Sequence, residues 1–305
     1  MDAGCRHGRR HAVCRESPAS SLRQLPVHIG TTWNREIMTA PSLILLGHGS
    51  NDPRVAQVSH EIRAGILEIR SDLDISIAFL DHYPPTGLQV VNQLAKRGVS
   101  EVVFVPLLLS DAFQAHAEVP ALIAQVQGAH PDLRVMASRP IGPEAQLLGV
   151  IDRRLRDALR ARRVTELDAL VFAAAGSPDV RSNAIVARRA RQWSTHHRLP
   201  CVTAFATGSG PTTAEAIRTL RAQGRRHIAV GSWFLAPGLL FTRQAELADD
   251  HGAVAVSAPM GAEPEIAEVA LHRYVVAAMD LVDVDTPVVA EDIELTPIRH
   301  LSSVG

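Results

Sequence analysis

The feature that most constrains the fold of this chain is an internal repeat. The segment Leu43–Arg54 aligns with Leu170–Arg181, 127 positions further on, and Leu, Gly, Ser, Asp and Arg coincide in the two copies. Later in each copy, Gly98 matches Gly224 at an offset of 126. A nearly constant offset over several segments indicates a tandem duplication, with its seam near residues 161–166.

Each copy alternates short apolar runs with amphipathic segments. The run Ser42–Leu46 predicts a buried strand, and Asp52-Pro53 predicts the start of a helix whose apolar residues recur at helical spacing. Strands that alternate with helices favour parallel sheets covered by helices. The predicted fold class is therefore α/β, with two tandem domains that each contain a parallel β-sheet flanked by helices.

The ends of the chain lack this periodicity. The first forty residues are rich in Arg, His, Ser and Pro, which is typical of disorder, and they lack the apolar core of a secretory signal. Met38 stands just before the first strand, so we interpret it as a candidate translation start. The predicted organisation is a disordered extension over 1–40, a first domain over 41–162, a second over 163–285 and a flexible tail over 286–305.

Composition excludes several classes of protein. None of the 305 residues belongs to an apolar stretch of the ~18–20 residues that span a bilayer, so we expect no membrane role. The net charge of −1 argues against a nucleic-acid partner. The cysteines Cys5, Cys14 and Cys201 suggest no disulfide framework, which fits a reducing cytoplasm.

Candidate functional residues follow the predicted strands of the first copy. His48 follows the first strand, Asp81 the second, and the loop 110–116 the third. Ligands of open α/β sheets bind outside the carboxyl ends of the strands, so these segments are expected to meet. Gly49 and Ser50 precede a helix, where free backbone N–H groups favour an anion such as a carboxylate.

The duplication permits a comparison within the chain. Gly49 and Ser50 persist as Gly176 and Ser177, as a shared scaffold would require. The candidate chemical groups do not persist: His48 becomes Ala175, Asp81 becomes Thr207, Gln114 becomes Leu240 and His116 becomes Thr242. This pattern assigns the chemistry to the first copy and a structural or regulatory role to the second.

Simpler interpretations of these residues remain open. His48 could bond a loop carbonyl, Asp81 could cap a turn, and His116 could lie on an exposed helix face. Phe113 could pack in the core or cover a flat ligand. The Gly-His-Gly-Ser segment lacks the spacing of a dinucleotide or Walker loop, and Ser50 lacks the frame of a hydrolase nucleophile.

An ordered set of motifs resembles the sirohydrochlorin chelatase family. The set spans roughly residues 42–279 and includes the duplicated, long two-domain form. This family of class II tetrapyrrole chelatases inserts iron or cobalt into sirohydrochlorin. The motifs are Gly47-His48-Gly49-Ser50, Phe79-Leu80-Asp81, Val105-Pro106-Leu107-Leu108-Leu109, Glu118-Val119-Pro120 and Pro140-Ile141-Gly142.

The resemblance implies roles for individual residues. His48 corresponds to a family histidine that binds metal and helps to remove pyrrole protons, and Asp81 to an acidic residue that assists metal delivery. A second family histidine is expected eight residues after Pro106, where this chain has Gln114, and His116 follows two positions later. Two positions turn an α-helix by ~200°, so His116 replaces that histidine only if the segment is not helical.

The activity that the resemblance implies is ATP-independent insertion of Fe²⁺ into sirohydrochlorin, a lyase-type reaction that gives sirohaem. The metal is then a substrate and no cofactor stays bound. Gly49, Ser50, Arg54 and Phe113 are the expected substrate contacts, and the expected state is a two-lobed monomer. Three alternatives stay open: a cobalt chelatase of cobalamin synthesis, a non-catalytic tetrapyrrole- or metal-binding relative, and a hydrolase or phosphate-binding protein that uses Gly49-Ser50.

Overall fold

The computed structural model describes residues 40–80, 83–110 and 114–283, with side chains left out for residue 114 and for 282–283. The extension predicted before residue 40, the candidate start Met38 and the tail over 286–305 therefore lie outside the described residues. In the part of the chain that is described, no helix is both long and apolar enough to cross a membrane.

The first repeat forms a four-stranded parallel sheet in the order β2-β1-β3-β4. Its central strand β1 is fully buried, as its run of apolar side chains predicts. The elements are β1 (Ser42–Gly47), α1 (Pro53–Ile69), β2 (Ile75–Phe79), α2 (Gly87–Lys96), β3 (Glu101–Pro106), α3 (Val119–Ala129), β4 (Arg134–Ala137) and α4 (Leu148–Ala161).

The second repeat forms a sheet of the same topology, in the order β6-β5-β7-β8. The α/β fold class with two parallel sheets is thereby confirmed. The elements are β5 (Ala169–Ala174), α5 (Val180–His197), β6 (Cys201–Phe205), α6 (Thr213–Ala222), β7 (Ile228–Trp233), α7 (Leu239–Asp250), β8 (Ala255–Val256) and α8 (Pro264–Asp283).

The two repeats also share their helix starts. Asp52 caps α1 and Asp179 caps α5, and each carboxylate accepts a hydrogen bond from a backbone N–H two residues later. Thr86 and Thr212 begin α2 and α6 with the same reciprocal capping box. Positions that match in sequence therefore build the same local structure in both lobes.

The lobes exchange their last helices. Helix α4 ends the first repeat but packs on β7 and β8, whereas α8 ends the second repeat and packs on β3, β4 and α1. Arg153 of α4 forms ion pairs with Glu263 and with Glu265 at the start of α8. The Tyr274 hydroxyl of α8 donates a hydrogen bond of 2.7 Å to the Pro41 carbonyl. One face of each sheet thereby contributes to a single hydrophobic core, whereas the opposite faces form two separate clusters.

Candidate functional site

The carboxyl end of the first sheet brings three chain segments together. The Leu80 N–H donates to the Gly47 carbonyl at 2.9 Å, and the Leu107 N–H donates to the Leu46 carbonyl at 2.8 Å. The chain therefore leaves β1, β2 and β3 at the same edge, as expected for parallel strands. His48 is the first residue beyond the central strand, and its side chain is exposed.

The backbone after His48 needs a glycine. Gly49 has a φ of 91°, in the left-handed region that a side chain disfavours, and it is buried. Gly176 has a φ of 83° at the matching position of the second lobe. The persistence of this glycine is thus explained by the turn out of the central strand.

His48 lies in a cleft between the lobes. Two cavities, of about 380 and 690 Å³, make up this inter-lobe cleft. Both volumes fall within the range of roughly 300–1,000 Å³ that is usual for small-molecule sites. The two cavities share the lining residues His48, Leu107, Phe234, Leu235 and Leu240.

The second lobe supplies an apolar wall of the cleft. We call the segment Phe234–Phe241 the apolar wall; every residue from 234 to 241 lines the larger cavity. Leu239 is 81% exposed and the adjacent Leu240 is 38% exposed, so the wall presents a contiguous apolar patch. The neighbouring Trp233 indole N–H donates to the Leu109 carbonyl at 3.0 Å, so the second lobe also holds the loop after β3.

Ser50 and Arg54 line the larger cavity but also serve the local structure. The Ser50 hydroxyl accepts a hydrogen bond from the Asp52 N–H at 3.1 Å, and the Arg54 guanidinium donates hydrogen bonds to both oxygens of the Asp52 carboxylate. The hydrogen bond from Arg54 lowers the pKa of Asp52, and Asp52 raises the pKa of Arg54. Ser177 and Asp179 repeat the first of these contacts in the second lobe. The turn alone would thus account for Ser50.

The segment that carries Gln114 and His116 is helical. Residues Gln114–Glu118 form a π-helical turn that leads into α3, and such turns are frequent at functional sites. Side chains two positions apart on an α- or π-helix lie on nearly opposite sides. His116 is exposed and does not line either cavity of the inter-lobe cleft. The role of His116 as a replacement for the histidine expected at position 114 stays a prediction.

The remaining predicted residues lie outside the described part. They are Asp81, Phe113 and the side chain of Gln114, and their roles stay predictions. Sequence reasoning gave no role to Glu118, which has one buried carboxylate oxygen without a hydrogen-bond partner and lines a cavity beside Phe79 and Leu80. It also missed the apolar wall, although the apolar run from Phe234 to Phe241, broken by Pro237-Gly238, was a visible signal.

Two parallel sheets of one topology, a strand-end histidine and a cleft between the lobes define a two-lobed α/β protein of the chelatase type. The CbiX family model matches residues 42–158 and 169–277, one match for each repeat. The chain therefore belongs to the CbiX family, and its resemblance to the sirohydrochlorin chelatases in their long two-domain form is confirmed.

Relatives and solved structures agree with this assignment. The sirohydrochlorin cobaltochelatase of Priestia megaterium is 24% identical over 69% of this chain and 69% of its own. The sirohydrochlorin ferrochelatase of Bacillus subtilis is also 24% identical, over 76% of this chain and 90% of its own. The structure of SirB from Bacillus subtilis with Fe3+ superposes with a TM-score of 0.65 at 22% identity, over 80% of this chain and 98% of that chain, which shows the shared fold.

Proposed function

We propose that this protein inserts Fe²⁺ into sirohydrochlorin to give sirohaem, without ATP, in the inter-lobe cleft. The observation that carries the proposal is the position of His48, which is exposed at the end of the central strand and shared by both cavities. Residues 41–162 then form the catalytic repeat, and 163–285 form a degenerate repeat that lends the apolar wall.

The reaction requires a group that can take up protons. When a divalent ion enters the macrocycle, two pyrrole N–H protons leave, and the metal–nitrogen bonds replace the N–H bonds. An imidazole near neutral pH can bind a metal ion or accept a proton, so His48 suits both steps. Asp81 is the proposed carboxylate that attracts the cation and passes protons on.

The cleft suits a flat, apolar ring with acidic side chains. The apolar wall can cover one face of the macrocycle, and Phe113 is a proposed second contact. The backbone N–H groups of Gly49 and Ser50 and the Arg54 guanidinium are proposed partners for its carboxylates. Arg54 is mostly exposed, and because exposed ion pairs are weak, it can exchange Asp52 for a substrate carboxylate at little cost.

A second metal ligand is proposed from the π-helical turn. Gln114 can offer a carbonyl oxygen and His116 an imidazole, and both residues belong to this turn. Insertion rates of Gln114→Ala and His116→Ala distinguish the two. A loss of rate in His116→Ala alone assigns the ligand to His116, and a loss in Gln114→Ala alone rejects that assignment.

Cobalt is the competing metal. One relative named above is a cobaltochelatase and the other a ferrochelatase, at equal identity to this chain. Imidazole, amide and carboxylate ligands suit both ions. The proposed active unit is a monomer, since one chain provides both sides of the cleft, and the cysteine content favours the cytoplasm.

The test is an anaerobic insertion assay followed by the visible absorption of sirohydrochlorin. Purified protein is mixed with sirohydrochlorin and either Fe²⁺ or Co²⁺, with protein-free mixtures as controls. We expect faster insertion than in the controls, with the higher kcat/KM for Fe²⁺. A higher value for Co²⁺ would reassign the metal. If the protein binds sirohydrochlorin but does not accelerate metal insertion, it is a non-catalytic relative, and the proposal is overturned.

A further inference from the structure

A cluster of metal-ligand side chains lies where α5 ends against α4. His196 and His197 are the last two residues of α5, and Asp152 is in the second turn of α4. One ligand atom from each residue lies within 4.8 Å of the others. None of the three lines either cavity of the inter-lobe cleft, so the cluster is separate from the proposed reaction site.

Asp152 is held in place as a metal-binding carboxylate would be. It is only 7% exposed, and its Oδ1 accepts a hydrogen bond of 3.2 Å from the Trp193 indole N–H. Its Oδ2 is paired with the Arg156 guanidinium. Carboxylates that ligate metals are commonly oriented by such outer hydrogen bonds. Oδ1 therefore has a fixed direction and keeps a lone pair for another partner.

His197 faces Asp152 without the bond expected at that separation. Its Nε2 lies 2.6 Å from Asp152 Oδ1, yet the nitrogen is buried and has no hydrogen-bond partner. The distance fits a hydrogen bond but the orientation does not. A buried ring nitrogen whose only close polar contact is poorly oriented is costly, and an ion bound to both ligand atoms would satisfy both.

An ion fits after a small rearrangement. Metal–ligand bonds of ~2.0–2.2 Å place neighbouring ligand atoms roughly 3 Å apart, slightly more than the present distance between His197 and Asp152. The His197 ring packs edge-on against Trp193, with 5.4 Å between ring centroids, which limits its movement. His196 is exposed, and its ring packs edge-on against that of His197, with 4.9 Å between ring centroids.

We propose that Asp152, His196 and His197 form an auxiliary site for a divalent first-row transition metal such as Zn²⁺ or Co²⁺. Two imidazoles and one carboxylate are a usual ligand set for these ions, and water completes the coordination. This inference does not rest on the proposed insertion reaction, because the three residues lie outside the inter-lobe cleft.

The duplication shows that the scaffold does not require these ligands. The residues that match His196 and His197 in the first repeat are Ile69 and Arg70, at the end of α1. At the end of each repeat Gly142 matches Gly261 at an offset of 119, so Asp152 corresponds to Leu271 of α8, the helix that packs against α1. The helix pair thus forms in the first lobe without any of the three donors.

The test is titration of the full-length, metal-free protein with Zn²⁺ by calorimetry and with Co²⁺ by visible absorption. His48→Ala serves as the parent, because it removes the histidine of the cleft. We expect the His196→Ala/His197→Ala variant of that parent to bind one equivalent fewer. His196→Ala alone should raise the Kd of that equivalent at least tenfold. His60→Ala, which removes an exposed histidine of α1, should change neither value.

Unchanged stoichiometry and a Kd within twofold in the double variant would overturn the proposal. So would a double variant that loses only stability and keeps the metal binding of its parent, because His197 and Asp152 would then form a simple ion pair. Melting curves check that each variant folds. If the double variant does not fold, the exposed His196→Ala variant is used instead. A Kd within twofold of that of the parent would then overturn the proposal.

Discussion

The loops that follow the central strands β1 and β5 share their backbone conformation at the glycine but carry different side chains before it. After β1, His48 stands exposed between two glycines and faces the inter-lobe cleft. After β5, Ala175 takes that position, and the glycine with positive φ follows as before. The scaffold therefore fixes the turn, and the two lobes differ in the side chain that the turn presents.

The second loop is also closed by side-chain hydrogen bonds of Asn183 and Thr207. The Asn183 amide accepts a hydrogen bond from the Ser177 N–H at 2.9 Å and donates to the Ser177 carbonyl at 2.8 Å. The Thr207 hydroxyl donates to the Ala175 carbonyl at 3.0 Å. The residue that matches Asn183 in the first repeat is Ala56. The second lobe thus stabilises its loop internally, which suits a rigid wall.

The largest expected effect comes from removal of the imidazole. His48→Ala should lower the insertion rate about 100-fold or more, because general acid–base groups commonly contribute ~10²–10⁴. The measurement is single-turnover insertion followed by visible absorption. Ala175→Ser, at the matching position of the second lobe, should stay within threefold of the wild type. Equal losses of insertion rate in the two variants would contradict the assignment of the chemistry to the first lobe.

The second expected effect tests the contact between Gly142 and the loop after β3. A Cβ on Gly142 would lie 2.5 Å from the Leu109 Cα and carbonyl oxygen, and that oxygen binds Trp233. Gly142→Ala should therefore lower the free energy of unfolding by about 2–3 kcal/mol. Chemical denaturation measures this change. In Gly128→Ala of α3 a Cβ meets nothing within 4 Å, so that control should be neutral or stabilising.

The third expected effect tests the closed second loop. Asn183→Ala leaves the buried Ser177 N–H and carbonyl without this partner, which should lower the free energy of unfolding by about 1–3 kcal/mol. The exposed Asn51 of the first lobe provides the control. Asn51→Ala should change the free energy of unfolding by less than about 0.5 kcal/mol. Equal losses would show that Asn183 does not distinguish the lobes.

The smallest expected effect concerns the ion pairs between the exchanged helices. The Arg153 guanidinium lowers the pKa of Glu265 below its usual value of 4.5. The stabilisation is therefore present above about pH 4.5 and is lost as the pH falls through the lowered value. Arg153→Gln should lower the free energy of unfolding by about 0.5–1 kcal/mol at pH 7, and by less in acid.

Melting temperatures across that pH range measure this effect, with Arg160→Gln as the control. Among the described residues Arg160 pairs with Asp157 of its own helix, and both side chains are mostly exposed. A constant difference between Arg153→Gln and the wild type down to pH 3 would contradict the assigned role of Glu265.

Much of the fold follows from local sequence. The apolar run of β1, the cap at Asp52 and the offset of the repeats were enough to predict two parallel sheets flanked by helices. The helix exchange was not predictable in this way, because α4 and α8 are amphipathic whichever sheet they cover. Their partners depend on contacts such as that of Arg153 with Glu265, more than a hundred residues apart.

The site was predictable in part. The position of His48 at a strand end follows from parallel topology alone. The apolar wall comes from the other lobe, and no local pattern shows that Leu240 and His48 line the same cleft. The direction of His116 depends on a π-helical turn that spacing alone does not reveal.

The most direct test of the central claim is the location of the substrate metal. Crystals of the wild-type protein and of His48→Ala, both grown with Co²⁺, would be compared by anomalous scattering at the cobalt edge. We predict a peak within bonding distance of an imidazole nitrogen of His48 that disappears in the variant. A peak in the cleft that persists in His48→Ala, or one only beside the Ala175 loop, would contradict the account.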